Sequence, residues 1–172
     1  MFDPTIYDNL KVAIENVLYD LDNLDECIQI TGRRDQLEMA SMSREFGLQF
    51  CLREQAGVTA EVILKSSLET IAAEILETPG VPAGCELELR FAFTTKEPEA
   101  CCHDIQEVMQ ENWPDQLILQ HIHYIFGESP MSFHVSANIY FGRHVNEEQM
   151  HDIPVLCDRM IHVLNKLKEI HG

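Results

Sequence analysis

Apolar side chains recur every three or four positions in four stretches of the chain, which is the spacing of one face of an α-helix. The first predicted helix starts at Asp3-Pro4, residues typical of an N-cap and a first helical position, and runs to about Leu24. The other helices are predicted at Thr59 to about Glu77, at Glu97–Asn112, and from Asn146 or Asp152 to the end of the chain. Each helix is expected to bury its apolar stripe in a common core.

Six shorter stretches alternate apolar and polar residues, as β-strands with one buried and one solvated face do. They lie at 27–31, 36–42, 48–53, 85–95, 116–126 and 132–142. The polar segments Gly32–Asp35 and Ser43–Gly47 are predicted to be the turns between the first three strands. Because short turns join neighbouring antiparallel strands, these three strands are expected to form a meander.

The predicted elements follow the order α-β-β-β-α-β-α-β-β-α, which favours the α+β class. We expect an antiparallel or mixed sheet of five to six strands with four helices packed mainly on one face. The length of 172 residues fits a single domain, 1–172. A Pro- and Gly-rich break near 78–84 separates two halves of similar element order and is the candidate boundary if the chain is divided.

The chain is strongly acidic, with 29 Asp and Glu against 12 Lys and Arg and a net charge of −17. Nucleic acids and anionic membrane surfaces bind clustered cations, so neither is an expected partner. Two interpretations of the acidity stay open. It keeps the protein in solution, or it attracts a basic protein partner.

The cellular location is inferred from the N-terminus, the hydropathy and the cysteines. The first residues lack the positive region of a signal peptide, and no apolar run reaches the about 20 residues of a membrane span. The six cysteines are irregularly spaced, without a C-x-x-C pair, and the chain is longer than typical disulfide scaffolds. We therefore expect a cytoplasmic protein whose reduced cysteines are mostly buried.

Histidines provide the strongest candidate chemistry. His121 and His123 are two residues apart on a predicted strand and therefore share one face of the sheet. A four-residue loop at 127–130 sets the register of the two strands that flank it. That register places His123 opposite His134, and His121 then faces Ser136.

Three imidazoles on one face, together with Glu86 or Glu88 from a neighbouring strand, form a ligand set that Zn²⁺ or another divalent metal accepts. His121, His123 and His134 are therefore the predicted metal ligands. The alternative is a row of exposed imidazoles on an open sheet, which offers no recess to enclose an ion. A register shift of one residue would also separate the three side chains.

A second candidate is the sequence Cys101-Cys102-His103 near the start of the third predicted helix. A thiol at a helix N-terminus can have a lowered pKa and become reactive. Successive helical residues point about 100° apart, so these three side chains do not converge on one point. The favoured interpretation is one inward-facing and one partly exposed cysteine.

The chain contains no phosphate-binding loop, nucleophile elbow or zinc-protease motif, and no carboxylate pair stands out from its acidic background. We therefore favour a non-catalytic protein-interaction or regulatory protein, with a metal-binding protein or metal-dependent enzyme as the alternative. The expected binding surfaces are the polar sheet face, including Asn138 and Tyr140, and the last helix. The heptad-like stripe of that helix either packs on its own sheet, the favoured arrangement, or pairs with a second copy in a homodimer.

The element order and the acidity together resemble those of small acidic secretion chaperones, which are homodimers built of helices on a twisted sheet. This resemblance implies a homodimer. The predicted helix between the fourth and fifth strands departs from the pattern of those chaperones.

Overall fold

The structure, a computed structural model, describes residues 5–81 and 83–171, except for the side chain of His171. Its helices are α1 (Ile6–Asn23), α2 (Leu68–Leu76), α3 (Pro98–Asn112) and α4 (Ile153–His171), with a 3-10 helix (Glu147–Asp152) before α4. Its strands are β1 (Ile28–Glu38), β2 (Ser43–Leu52), β3 (Gln55–Ser66), β4 (Glu86–Thr95), β5 (Leu117–His123) and β6 (Phe133–Tyr140). The predicted α+β class and order of elements are confirmed.

The six strands form one antiparallel sheet in the order β1-β2-β3-β4-β6-β5. The first three strands are the predicted meander, and β3 pairs with β4 across the Pro- and Gly-rich break. β6 inserts between β4 and β5, so β1 and β5 are the two edges of the sheet.

Helices α1, α3 and α4 pack on one face of this sheet and share one apolar core with it. Every second residue of the inner strands faces these helices; Phe46, Leu48, Phe50, Val62, Leu64, Leu89, Phe91, Ala137 and Ile139 are all buried. Trp113, at the C-terminal end of α3, packs its ring 6.0 Å from that of Phe91. We call the opposite face of the sheet the open face. None of the described helices is long and apolar enough to cross a lipid bilayer.

The start of α1 differs from the prediction. The N-cap is Thr5, whose hydroxyl accepts a hydrogen bond from the backbone N–H of Asp8 at 3.2 Å. The predicted start at Asp3-Pro4 lies outside the described residues. At the other end, Leu24 follows the helix and is exposed, so the apolar stripe of α1 stops earlier than its spacing predicts.

The first three strands were predicted in the right number but with wrong limits. Gly32–Asp35, predicted as a turn, continues β1 beyond a β-bulge between Ile30 and Gly32. The turn is instead at 39–42, and Ser43–Gly47, also predicted as a turn, begins β2.

Charged residues remain in these strands because their partners lie on other elements. Arg33 donates to Glu15 of α1 at 2.9 Å. Arg34 donates to Glu45 of β2 at 2.6 Å and to Glu61 of β3 at 3.0 Å. Local polarity predicted a turn, whereas the neighbouring elements supply the pairing that keeps an extended strand stable.

The prediction of a helix from Thr59 to Glu77 is wrong in its first half, because Gln55–Ser66 is β3. This strand lies inside the sheet, and its side chains are buried on both faces, including Ile63 on the open face. A short apolar run of this kind has no clear period, so it is easily mistaken for a buried helix. Only Leu68–Leu76 is helical, and Leu68 and Ile75, predicted to face inward, are exposed.

A polar cluster fixes α1 to the edge of the sheet. The Tyr7 hydroxyl donates to Asp35 of β1 at 3.1 Å, and the Arg44 guanidinium lies 4.2 Å from the centre of the Tyr7 ring. Burial, followed by the charge of Asp35, raises the pKa of Tyr7. Burial also opposes ionisation of Asp35, but the hydrogen bond and charge of Lys11 outweigh it and lower the pKa of Asp35.

Candidate functional site

The predicted register of the histidine-bearing strands is confirmed. In the β5–β6 pair, His123 lies directly opposite His134. His121 lies opposite Ser136 in the same pair. The ladder ends at His123 because residues 124–132 form the connection, which is longer than the predicted loop. All three imidazoles are on the open face and exposed.

The surroundings of the histidines do not favour a cation. His123 and His134 line a shallow depression whose other residues include Arg90 but no carboxylate. Across residues 5–81 and 83–171, no group of three or more His, Cys, Asp or Glu side chains could hold a metal ion. The structure thus adds no support for metal binding by His121, His123 and His134, which stays a prediction from the sequence.

The centre of the open face carries a network of ion pairs. Arg34 bridges Glu45 and Glu61, with its guanidinium nitrogens 2.6 and 2.7 Å from their oxygens. Lys65 binds Glu88 at 2.9 Å. Glu61 and Glu88 are buried, exposing only 8% and 4% of their surfaces.

The network continues across β4 and balances its own charge. Arg90 reaches both buried carboxylates, at 3.7 Å for Glu61 and 3.4 Å for Glu88. Burial disfavours the charged forms of Arg34 and Lys65, but their hydrogen bonds to Glu45 and Glu88 outweigh it and raise both pKa values. The carboxylates of Glu45, Glu61 and Glu88 are therefore already paired within this network and are poor contacts for a basic partner.

Gly47 makes room for this network. A Cβ atom at this position would lie 2.3 Å from the Glu61 Oε1 atom and 2.9 Å from the Arg34 Nε atom. The Arg34–Glu61 ion pair therefore lies against the backbone of β2 at Gly47, and a side chain at position 47 would displace it. No local pattern connects Arg34, Gly47 and Glu61, because they are on three different strands.

The predicted interface residues Asn138 and Tyr140 bond to each other. The Asn138 side-chain amide donates to the Tyr140 hydroxyl at 3.1 Å and its carbonyl accepts from Ser136 at 2.8 Å. Asn138 is also buried, with 6% of its surface exposed. The side chains of Ser136, Asn138 and Tyr140 already bond to one another, so this part of the open face is a weak docking surface.

The last helix is not available for docking through its apolar stripe. Ile153, Met160, Val163 and Leu167 of α4 are buried in the core of their own chain. Val155 and Ile170 of α4 are exposed: Val155 lies outside the predicted stripe, and Ile170 is the last residue of that stripe. The favoured arrangement, in which the stripe of α4 packs on its own sheet, is confirmed for Ile153, Met160, Val163 and Leu167.

An exposed apolar surface lies elsewhere, at the β5 edge. Leu117, Leu119 and Ile122 of the strand are exposed by 58%, 42% and 47%, and the connection after it exposes Tyr124, Ile125, Phe126 and Met131. We call these seven side chains the β5 surface. Phe126 is 95% exposed, the largest value among the exposed large apolar residues of the described chain. Alternation predicts Ile122 and Tyr124 on the core face, but an edge strand is only partly covered by α3.

The two edges of the sheet differ in chemistry. β1 carries Arg33, Arg34, Asp35 and Glu38, and charges on an edge strand oppose pairing with another chain. By contrast, Gln116–Phe126 contains no Asp, Glu, Lys or Arg, although 24% of the whole chain is charged. That uncharged run is the sequence signal that could have identified the β5 surface.

The surroundings of Cys101 and Cys102 at the start of α3 do not favour a reactive thiol. Cys101 and Cys102 are both half-buried, and the Cys101 Sγ atom lies 3.3 Å from the Thr95 hydroxyl. Burial raises the pKa of Cys102, which disfavours the alternative of a reactive thiol at that position. Both cysteines are partly buried and pack against the core, so the structure does not divide them into one inward-facing and one partly exposed residue.

No family model, no curated protein and no solved structure matches this chain. The candidates for its function therefore come from the two surfaces described above. The centre of the open face is internally paired, whereas the β5 surface has an edge strand and exposed apolar side chains.

Proposed function

We propose that this chain is a non-catalytic protein-interaction module that receives an extended segment of another polypeptide as an added strand at β5. The observation that carries the proposal is the contrast between the edges: β1 is charged, whereas β5 is uncharged and flanked by exposed apolar side chains. Strand addition uses the free N–H and C=O groups of an edge for affinity and its alternating side chains for specificity.

The exposed side chains determine how strong such binding can be. Full burial of a Leu or Ile side chain contributes about 1.5–3 kcal/mol. Leu117, Leu119 and Ile122 are roughly half exposed, so covering them contributes about 1 kcal/mol each. Association itself costs about 4 kcal/mol or more, so the strand alone binds weakly and contacts to Phe126 and its neighbours are needed.

The charge of the molecule indicates the chemistry of the partner. The partner segment should be uncharged where it pairs with β5, because an unpaired charge there would be desolvated at a cost. Lys or Arg flanking that segment would be attracted by the net charge of −17 and would speed association. The six free cysteines support a cytoplasmic location for this interaction, because disulfides are rare in that compartment.

A matched pair of substitutions tests the proposal. Ile122→Lys places a charge on the β5 edge, and Leu37→Lys places the same charge on the β1 edge, where the replaced side chain is also 47% exposed. Photo-crosslinking from benzoylphenylalanine at position 126 in wild type should yield a protein adduct from a lysate of the source cells. Ile122→Lys in the crosslinking protein should remove that adduct, and Leu37→Lys should leave it.

Light scattering after size exclusion separates self-pairing from binding of a different chain. A homodimer that Ile122→Lys dissociates would mean that the added strand comes from a second copy. Two results would contradict the proposal: adducts that survive Ile122→Lys unchanged, or a monomer that yields no adduct at any concentration tested.

Metal binding is the second candidate, and the pairing of His123 with His134 is the observation that favours it. Elemental analysis of protein purified without a histidine tag tests it, with the triple variant of His121, His123 and His134 to Ala as the control. If this candidate is right, wild type holds a stoichiometric metal and the variant holds none. Absence of metal after incubation with Zn²⁺, or equal metal in both proteins, would remove this candidate.

A further inference from the structure

An apolar cavity of about 120 Å³ lies between α1, α4 and the helix-covered face of β3 and β4. Its deep wall is formed by buried side chains, among them Leu10, Ile14, Val62, Leu64 and Cys157. Burial, followed by the charge of Asp158, raises the pKa of Cys157 to about 12, so this thiol stays neutral. A neutral buried thiol behaves as a small apolar group, so the buried part of the cavity wall is predominantly apolar.

The rim of the cavity is polar and includes Arg143, which is exposed. The other six arginines of the chain each donate a hydrogen bond to a carboxylate or a backbone carbonyl. Within residues 5–81 and 83–171, Arg143 is the one arginine that donates no hydrogen bond to a carboxylate or a backbone carbonyl. An arginine beside an apolar cavity supplies the donor fork that a carboxylate accepts.

Gln149 and Asp152 are the other polar side chains at the rim that the head group of a ligand would contact. Gln149 accepts a hydrogen bond from the Asn146 backbone N–H at 2.8 Å through its carbonyl oxygen, which leaves its amide nitrogen to donate. Asp152 carries the opposite charge, but its side chain is 62% exposed and lies 3.3 Å from His151. Solvent screens the charges of Asp152 and Arg143 alike, and the N–H donors of Arg143 and Gln149 outnumber the two carboxylate oxygens of Asp152.

We propose that this cavity binds a small aliphatic carboxylate, with its hydrocarbon tail between α1 and α4 and its head group on Arg143 and Gln149. An apolar cavity of about 150 Å³ admits benzene, so a volume of about 120 Å³ fits a tail of roughly four to five carbons. Ordered water is a poor occupant because it needs two to four polar partners, which the deep wall does not provide. The rim opens to solvent, so a ligand can enter without unfolding of the core.

Thermal denaturation and isothermal titration with sodium hexanoate test the proposal, with acetate and hexan-1-ol as matched probes. Hexanoate should bind saturably at one site and raise Tm, acetate should do neither, and hexan-1-ol should bind at least tenfold more weakly. Arg143→Gln should weaken hexanoate binding about tenfold, while the charge-matched control Lys166→Gln should leave it unchanged. Leu156→Phe, which adds volume at the wall, should weaken hexanoate and hexan-1-ol alike.

Circular dichroism and the Tm of the unliganded variants establish that each one folds. If Leu156→Phe does not fold, displacement of hexanoate by xenon in wild type replaces it as the test of location. The proposal is overturned by the absence of saturable hexanoate binding, which would mean a dry packing gap. It is equally overturned if Arg143→Gln binds hexanoate as wild type does, or if hexan-1-ol binds as tightly as hexanoate.

Discussion

Replacing Arg34 with methionine should lower the free energy of unfolding by about 2 kcal/mol at pH 7. Methionine keeps an apolar stem over Gly47 and removes only the guanidinium. That group makes one hydrogen bond to Glu61 at 3.0 Å and one to Glu45 at 2.6 Å, and a second guanidinium nitrogen lies 2.7 Å from the same Glu61 oxygen. The substitution thus isolates the contribution of charge pairing on the open face.

The magnitude follows from the exposure of the partners. A hydrogen bond to a charged group contributes about 1.5–3 kcal/mol when it is protected from solvent. The side chains of Arg34 and Glu45 are 30% and 35% exposed, so water screens their pair and its contribution is near the low end of surface values. Glu61 is 11% exposed in its side chain and would keep only Arg90 at 3.7 Å, so most of the cost lies in that carboxylate.

Urea unfolding followed by the fluorescence of Trp113 measures the effect, because this is the only tryptophan and it is buried in the core. The midpoint should fall with an unchanged denaturant slope. Adding Glu61→Gln to Arg34→Met should recover about 1 kcal/mol, since it removes the unpaired buried charge. A loss below about 0.5 kcal/mol, or purely additive effects in the double variant, would refute the reasoning.

Three further predictions concern α1, the loops and the thiols. Asp35→Asn should cost about 1 kcal/mol at neutral pH. Because the folded pKa of Asp35 lies below its unfolded value of 3.8, the difference from wild type should begin to shrink in urea titrations as the pH falls below about 4, and it should vanish only once the pH has passed through the folded pKa. Gly84→Ala should destabilise by about 2 kcal/mol, since its φ is +123° and a Cβ would lie 2.5 Å from a backbone carbonyl oxygen, whereas Gly142→Ala, with nothing within 4 Å, should be neutral in the same assay. Native alkylation at pH 8 should label Cys27, which is exposed, and spare Cys157, whose pKa is about 12; rapid labelling of Cys157 would contradict its burial.

Local pattern was sufficient for part of the fold. The alternation over Cys85–Thr95 defines β4 because successive side chains of a strand point to opposite faces. Trp113-Pro114 ends α3 as predicted, because a proline cannot continue a helix. The pairing of His123 with His134 also followed from a local feature, the position of the loop between two strands.

Local pattern failed wherever a residue is stabilised by a distant partner. Arg34 and Asp35 indicate a turn when read alone, but their ion pairs come from β2, β3 and α1. The apolar run of β3 has no usable period, because an inner strand is buried on both faces. Neither error can be removed without knowledge of which elements are neighbours.

The sequence by itself determined the class of the fold, the order of its elements and the acidity of its surface, because propensity, period and charge are properties of neighbouring residues. Only the tertiary structure decided which strand is an edge, and therefore that the uncharged run of β5 is exposed. It also decided that the stripe of α4 is buried and that side chains from five elements enclose an apolar cavity beside Arg143. Exposure depends on how distant segments pack together, and no spacing within one segment encodes that arrangement.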